Sequence, residues 1–136
     1  MKVVDYVGEE ILPNAEEKLT ATRHPGFVNG GWGSNNVDKR STAFIPEELR
    51  KTYFAGGFQG GETTAYLQAC KTLSDNISKD EDIGIIAEWH DESHWNSYLS
   101  TRTPKIISNE YCMCEKNISG NPKIIALDKN HAELRS

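Results

Sequence analysis

The sequence has 136 residues, of which 37% are hydrophobic and 26% are charged, a composition typical of one globular domain. Lys and Arg number 15 against 20 Asp and Glu, and the net charge of -5 excludes a generic nucleic-acid binder. No apolar run approaches the roughly 20 residues of a transmembrane helix, and the first residues lack the apolar segment of a signal peptide.

The first third of the chain is predicted to be mostly irregular. Prolines and a glycine-rich cluster break any regular period over residues 13–42. The aromatic side chains of this stretch, together with His24, indicate an ordered loop region that lines a site. Residues 43–45 are a short strand candidate, and Pro46 suits the first position of the helical turn that follows.

A glycine string occupies residues 56–61, between a predicted buried strand at residues 53–55 and a predicted helix from Glu62. Such a string lets a ligand approach the backbone beside a helix N-terminus, or serves only as a tight connection. Its spacing fits neither the dinucleotide-binding fingerprint nor the P-loop. The apolar face of the helix is predicted from a helical spacing: Tyr66, Cys70, Leu73 and Ile77.

The second half of the chain continues the alternation of helix and strand. Polar residues 75–82 are predicted to form a connection, and a second helical face runs from Ile83 to Leu99. Strands are predicted at residues 105–107 and 123–127. This order indicates an α/β fold with a mixed sheet.

Residues 89–94 read Trp-His-Asp-Glu-Ser-His. His90 and His94 would share one helical face, the spacing by which a helix chelates zinc, although a hydrogen-bonded core pair gives the same pattern. Asp91 and Glu92 follow an indole, which suits a sugar because its C–H face stacks on an aromatic ring and its hydroxyls donate to carboxylates. A solvated charged helix surface is the alternative.

A basic cluster ends this acidic chain. It consists of Lys129, His131 and Arg135. These side chains could pair with a phosphate group, or they could form a solvated tail.

Taken in order, six strings of the sequence resemble glycosyltransferase family 6, which includes the histo-blood-group A and B transferases and bacterial relatives. The resemblance covers essentially the whole chain. It implies the C-terminal part of a GT-A-type α/β fold, with a mixed sheet and flanking helices, and makes residues 1–136 one partial catalytic domain on the acceptor side. The strings are VGEEIL (7–12), HPGF (24–27), YFAGGFQGG (53–61), WHDESHWNSY (89–98), Glu110-Tyr111, and Lys129-Asn130-His131 with Arg135.

The resemblance implies a retaining α-1,3-glycosyltransferase that moves galactose or N-acetylgalactosamine from a UDP-sugar to a galactose-containing oligosaccharide. Glu92 would be the catalytic carboxylate beneath the anomeric carbon, where negative charge stabilises developing positive charge. The other implied roles fall into three groups: the donor sugar at Asp91, Ala55, Gly56 and Gly57; the acceptor at His24, Trp89 and His90; the UDP diphosphate at Lys129 and Arg135.

Two features bear on specificity. Ala55 and Gly57 resemble the positions that tune donor choice in this family, and the missing side chain of Gly57 favours UDP-N-acetylgalactosamine over UDP-galactose. Met113 and Cys114 stand where blood-group-type members carry a Trp-Asp pair that contacts the acceptor. This departure counts against a fucosylated acceptor.

The nucleotide-binding half of the family, which ends in a metal-binding D-x-D motif or in N-x-N, precedes the region that these strings match. The sequence is therefore expected to be the portion after that half, with no cofactor of its own and Mn²⁺ only with an upstream D-x-D. The alternatives are a non-catalytic carbohydrate-binding remnant and a zinc hydrolase. Because no membrane anchor is seen, a bacterial-type protein that is cytoplasmic, or peripheral to the membrane, is expected.

Overall fold

The computed structural model describes residues 1–27, 32, 38–87, 90–116, 118 and 120–127. Neither helix in these ranges is long and apolar enough to cross a membrane. The helices are α1 (Thr63–Asp82) and α2 (Asp91–Leu99), and the strands are β1 (Lys2–Val3), β2 (Leu19–Arg23), β3 (Phe54–Gly61), β4 (Lys105–Ile107), β5 (Met113–Cys114) and β6 (Ile124–Ala126).

The described strands form two three-stranded sheets, each with one parallel and one antiparallel pair. In the first sheet, β2 lies between its antiparallel neighbour β3 and its parallel neighbour β4. In the second, β6 lies between antiparallel β1 and parallel β5. The predicted α/β class and mixed strand directions are confirmed, but the strands belong to two small sheets and not to one.

The main apolar core joins both helices to the first sheet. Because α2 packs directly against β3, the residues at its start lie beside the glycines of that strand. A second cluster joins the two sheets: it is formed by Ile107 of β4, Tyr111 and Ile124 of β6. The buried residues of the main core come from β2, β3, α1 and α2: Leu19, Ala21, Phe54, Ala69, Trp95 and Leu99.

The pairing of β2 with β3 is interrupted by a bulge at the glycines. The register passes from Ala21 opposite Gln59 to Thr22 opposite Ala55, so residues 56–58 have no partner in β2. The Thr22 hydroxyl spans the bulge and donates a 2.7 Å hydrogen bond to the carbonyl of Phe58, its last residue. A bulge bends a strand and changes the direction in which its main-chain groups point. Here the Gly56 N–H points toward α2.

Strand β2 lies inside the stretch that was predicted to be a loop region, residues 13–42, and the prediction was wrong there. As the centre strand of its sheet, β2 has its first four residues buried, with small and threonine side chains that give no polar alternation. Residues 43–45 do not form a strand, because the Ser41 hydroxyl accepts the Ala43 N–H at 3.1 Å and turns the chain. The helical turn after Pro46 is confirmed as a 3-10 turn.

Helix α1 continues through residues 75–82, which were predicted to be a connection. These residues are polar because most of them face solvent, while Asp80 on the inner face is buried. The core-facing residue near the middle of α1 is Ala69, whereas Cys70 is exposed. The predicted apolar face was therefore displaced by one residue at this turn.

The second helix is shorter than predicted. Gly84, with a φ of 76°, follows α1 in a turn, and α2 begins only at Asp91.

The predicted strand at residues 53–55 begins at Phe54 and runs on through the glycine string. The strands predicted at 105–107 and within 123–127 are confirmed as β4 and β6.

Neighbouring glycines at the end of β3 offer a matched test of the β2–β3 packing. A Cβ at Gly61 would lie 2.5 Å from the Lys18 carbonyl oxygen, whereas a Cβ at Gly60 would meet nothing within 4 Å. We expect Gly61→Ala to lower the free energy of unfolding by about 1–3 kcal/mol through overpacking. Gly60→Ala should change it by less than about 0.5 kcal/mol. Urea unfolding measures both, and equal effects would contradict the close approach at Gly61.

Candidate active site

The Glu92 side chain lies in the first turn of α2 and faces the bulge of β3. Its Oε2 accepts a hydrogen bond from the Gly56 N–H at 3.0 Å. Its Oε1 lies 3.7 Å from Nε2 of His24, and the Glu92 side chain is 21% exposed. A carboxylate at the start of a helix also meets the favourable end of the helix dipole. Glu92 is thus fixed by the main chain of β3, while a bound molecule can still reach its carboxylate.

Glycine at position 56 permits this approach of α2 to β3. A Cβ built there would lie 3.3 Å from the Cβ of Glu92 and 3.5 Å from its Cα. A larger side chain would therefore push α2 away from β3 and lengthen the hydrogen bond to the carboxylate.

His24 follows β2 and turns its ring toward Glu92. Its Nδ1 accepts the Gly26 N–H at 3.0 Å, so in the neutral ring Nε2 carries the proton and faces the carboxylate. Burial lowers the pKa of His24 below its ordinary value of 6.5, while the charge of Glu92 opposes that shift. The neutral ring can therefore donate from Nε2 at neutral pH.

His24 belongs to an aromatic wall formed with Phe27, Trp32 and Tyr53. The ring centroids of neighbouring members lie 5.0 to 5.5 Å apart. The aromatic side chains of the predicted loop region thus pack together, and Tyr53 joins them from the start of β3. An aromatic wall next to a carboxylate suits a sugar ligand.

Two other residues of β3 were predicted to bind the donor sugar, and their surroundings differ. Ala55 is buried, at 3% exposure. Gly57 is exposed, and a Cβ there would lie 3.1 Å from both the Sγ of Cys112 and the Cε of Met1. Burial raises the pKa of Cys112 to about 11, so its thiol is neutral.

His90 and Asp91 stand at the entrance to α2. His90 lies just before the helix with a φ of 46°, and both side chains are exposed. His94 lies inside, at 3% exposure. The prediction that both histidines share one helical face is wrong, because His90 is not part of the helix. In the described part of the chain, no group of three or more His, Cys, Asp or Glu side chains could hold a metal ion.

A buried polar network, which the sequence did not reveal, lies behind the site. Asp80 is 1% exposed. Its carboxylate accepts hydrogen bonds from the Ser41 hydroxyl at 2.6 Å, and from the Thr42 N–H and hydroxyl, each at 2.8 Å. The Nε2 of His94 lies 3.8 Å from the same carboxylate. The network joins α1, the chain before β3 and α2.

The ionisation of this network follows from its contacts. Burial acts to raise the pKa of Asp80, but the hydrogen bonds from Ser41 and Thr42 outweigh it and leave the pKa below its ordinary value. Burial lowers the pKa of His94, against the charges of Asp80 and Asp91. We therefore assign an ionised Asp80 and a neutral His94 at neutral pH.

These pKa directions predict a protein that is less stable in mild acid. Because the His94 pKa lies below its ordinary value of 6.5, the unfolded chain binds more protons there, and stability present above 6.5 is lost as pH falls toward the folded pKa. His24 acts in the same direction. We expect a smaller free energy of unfolding at about pH 5.5 than at about pH 7.5, by urea titration. His94→Gln should reduce this difference, and an undiminished difference would contradict the assignment.

The string Asp80-Glu81-Asp82 has the form D-x-D, yet it does not fit a metal site. The Asp80 oxygens already accept three hydrogen bonds and are buried. The Asp80 carboxylate therefore belongs to the buried hydrogen-bond network and is not available as a metal ligand.

The structure thus brings some of the predicted site residues together. Glu92, Gly56 and His24 are in mutual contact through the carboxylate. Ala55 and Gly57 flank Gly56 on β3, and His90 and Asp91 precede Glu92 in the chain. The predicted residues that lie outside the described part of the chain are Trp89, Lys129 and Arg135.

A carboxylate beside an aromatic wall has the chemistry of a carbohydrate site, and comparison with known proteins points the same way. The model of the family "Glycosyltransferase family 6" matches residues 1–136. The chain therefore belongs to glycosyltransferase family 6.

Relatives come from both animals and bacteria. The chain is 38% identical to the rat histo-blood group ABO system transferase 1 over 100% of its own length and 40% of the relative. It is 30% identical to the chicken globoside alpha-1,3-N-acetylgalactosaminyltransferase 1, over 87% of the chain and 36% of the relative. It is 28% identical to the Escherichia coli O-antigen biosynthesis glycosyltransferase WbnI, over 84% of the chain and 50% of the relative. The chain thus spans half or less of the length of these relatives.

Proposed function

We propose that this chain carries the acceptor-side portion of a retaining α-1,3-glycosyltransferase. It would move N-acetylgalactosamine, or galactose, from a UDP-sugar to a galactose-containing acceptor. The observation that carries the proposal is the Glu92 carboxylate, held by the Gly56 N–H and facing His24. Family membership and the activity named for the chicken relative support the reaction class.

The proposed chemistry depends on the negative charge of Glu92. As the bond from the anomeric carbon to the diphosphate oxygen breaks, the electron pair leaves with UDP and positive charge develops on the sugar. Glu92 stabilises that charge, either by forming a bond to the anomeric carbon or by electrostatic attraction. The acceptor hydroxyl oxygen then forms the new bond to that carbon, which breaks the bond to Glu92 where one has formed, and the hydroxyl proton passes to the leaving diphosphate.

The remaining residues bind and orient the two substrates in this proposal. Asp91 accepts hydrogen bonds from donor-sugar hydroxyls, and His24 contacts the acceptor beside the aromatic wall. Roles for three more residues follow from the resemblance alone: acceptor contact for Trp89, and neutralisation of the UDP diphosphate for Lys129 and Arg135. Holding the diphosphate charge as it leaves would lower the barrier.

The donor test uses a protein that contains this portion together with the family's nucleotide-binding half. It compares transfer from UDP-N-acetylgalactosamine and from UDP-galactose to one galactoside acceptor. We expect the first donor to be preferred, because Gly57 resembles a position that tunes donor choice in this family and carries no side chain there. Gly57→Ala adds one methyl and should lower this preference by about tenfold, whereas Gly60→Ala, which meets nothing within 4 Å, should leave it unchanged. A clear preference for UDP-galactose in the unaltered protein would refute the donor assignment, and transfer from neither would refute the proposed function.

A further inference from the structure

Asn96 makes three hydrogen bonds, two of which tie α2 to β3. It lies within the string at residues 89–98, but that resemblance assigned it no role. Its side chain is 2% exposed. Its Oδ1 accepts the Phe54 N–H at 2.8 Å, and its Nδ2 donates to the carbonyls of Phe54 and Glu92, both at 2.9 Å. One carboxamide thus binds both main-chain groups of a strand residue and the carbonyl of the candidate catalytic residue.

The side chain of Asn96 takes the place of a neighbouring strand. Among the described strands β3 forms the edge of its sheet, and Phe54 faces α2 with its N–H and carbonyl. A carboxamide offers one acceptor and two donors in a planar group, so it matches a peptide group of the strand. Burial makes this match specific, because an unpaired buried polar group is costly.

A second contact between α2 and β3 lies in register with the first. Asn96 bonds to Phe54, and one helical turn earlier Glu92 accepts the N–H of Gly56. Four residues of helix advance about 6.0 Å, and two residues of strand advance about 6.6 Å. The two contacts therefore fix the distance and the register of α2 along β3 together.

We propose that Asn96 is a positioning residue, which sets α2 against β3 so that the Glu92 carboxylate meets the Gly56 N–H and faces His24. Asn96 would touch neither substrate. Its importance for transfer rests on the proposed function, whereas its control of the geometry between Glu92 and His24 does not. The two can therefore be tested by separate measurements.

The geometric test follows the pKa of His24 by NMR titration in the unaltered protein, Asn96→Ala, Glu92→Gln and the double variant. Because the charge of Glu92 acts to raise this pKa, Glu92→Gln should lower it. If Asn96 places that charge, Asn96→Ala should also lower the His24 pKa, and the double variant should show no further fall. The His24 signal is assigned by its absence in His24→Gln.

A neighbouring residue supplies the control for a merely structural role. The Ser97 hydroxyl donates to the Thr42 carbonyl at 2.9 Å, so Ser97→Ala also removes an anchor of α2. We expect it to reduce stability and to leave the His24 pKa unchanged. An unchanged His24 pKa in folded Asn96→Ala, or an equal shift in Ser97→Ala, would overturn the proposal.

Transfer activity forms the second readout. We expect Asn96→Ala to reduce kcat by about ten- to a hundredfold with little change in the KM of the donor, as expected when a catalytic group is misplaced. Asn96→Ser serves as a milder variant if Asn96→Ala does not fold, and failure of both to fold would leave Asn96 only a structural role and overturn the proposal. If the unaltered protein transfers no sugar, the proposed function fails, and the His24 titration still decides the role of Asn96.

Discussion

Replacement of Glu92 by glutamine is expected to lower the rate of sugar transfer about 100-fold or more. The amide keeps the size of the side chain, and its oxygen can still accept the Gly56 N–H. It removes the negative charge that would face the anomeric carbon, so binding of UDP should remain nearly unchanged while transfer is lost. Steady-state transfer assays and calorimetric titration with UDP measure the two quantities separately.

An exposed carboxylate on α1 supplies the control. Asp75 pairs with Lys71 at 3.2 Å on the exposed surface of α1. Asp75→Asn therefore removes one carboxylate charge, as Glu92→Gln does, but from a residue that is not part of the candidate site. It should leave transfer and UDP binding unchanged. Undiminished transfer by Glu92→Gln would remove Glu92 from the mechanism, whereas loss of UDP binding together with transfer would assign it to donor binding.

The largest effect on stability is expected for Asp80→Ala. The substitution leaves three donors, on buried Ser41 and half-buried Thr42, without the acceptor that they have in the native fold. An unsatisfied buried hydrogen-bonding group costs about 1–3 kcal/mol, and for these donors together we expect the free energy of unfolding to fall by about 3–5 kcal/mol. Urea denaturation at neutral pH measures it.

Asp82, two residues along the same helix, is exposed and provides the matched variant. Asp82→Ala makes the same chemical change without breaking a buried network, and should alter the free energy of unfolding by less than about 0.5 kcal/mol. Equal losses for the two substitutions would mean that charge on α1, and not the network around Asp80, decides stability.

Local patterns predicted those parts of the fold that depend on local sequence. Pro46 before a turn and the short apolar runs at β4 and β6 were recognisable because propensity and burial agree there. Strand β2 was not recognisable, since a centre strand with threonines buried among its neighbours carries no period of two. Its identity as a strand depends on partners far along the chain, β3 and β4.

Some residues of the candidate site could likewise be predicted from the sequence, and others could not. Glu92 could be identified from the string around it and its resemblance to a known family. Asp80 looked like one more charge in a polar segment, although its spacing of three residues from Ile77 places it on the inner face of α1. Asn96 lies in the same string as Glu92, but its role could not be predicted, because it depends on main-chain groups of Phe54, 42 residues away in the chain.

The hydrogen bond from Gly56 to Glu92 has a consequence for how related proteins can diverge. Its donor is a main-chain N–H, which every amino acid except proline supplies, and only the missing Cβ ties the position to glycine. The side chains at positions 55 and 57 can change on either side without removing this anchor. Under the proposed function, single substitutions there would alter donor preference over evolution while the carboxylate that drives the chemistry stays in place.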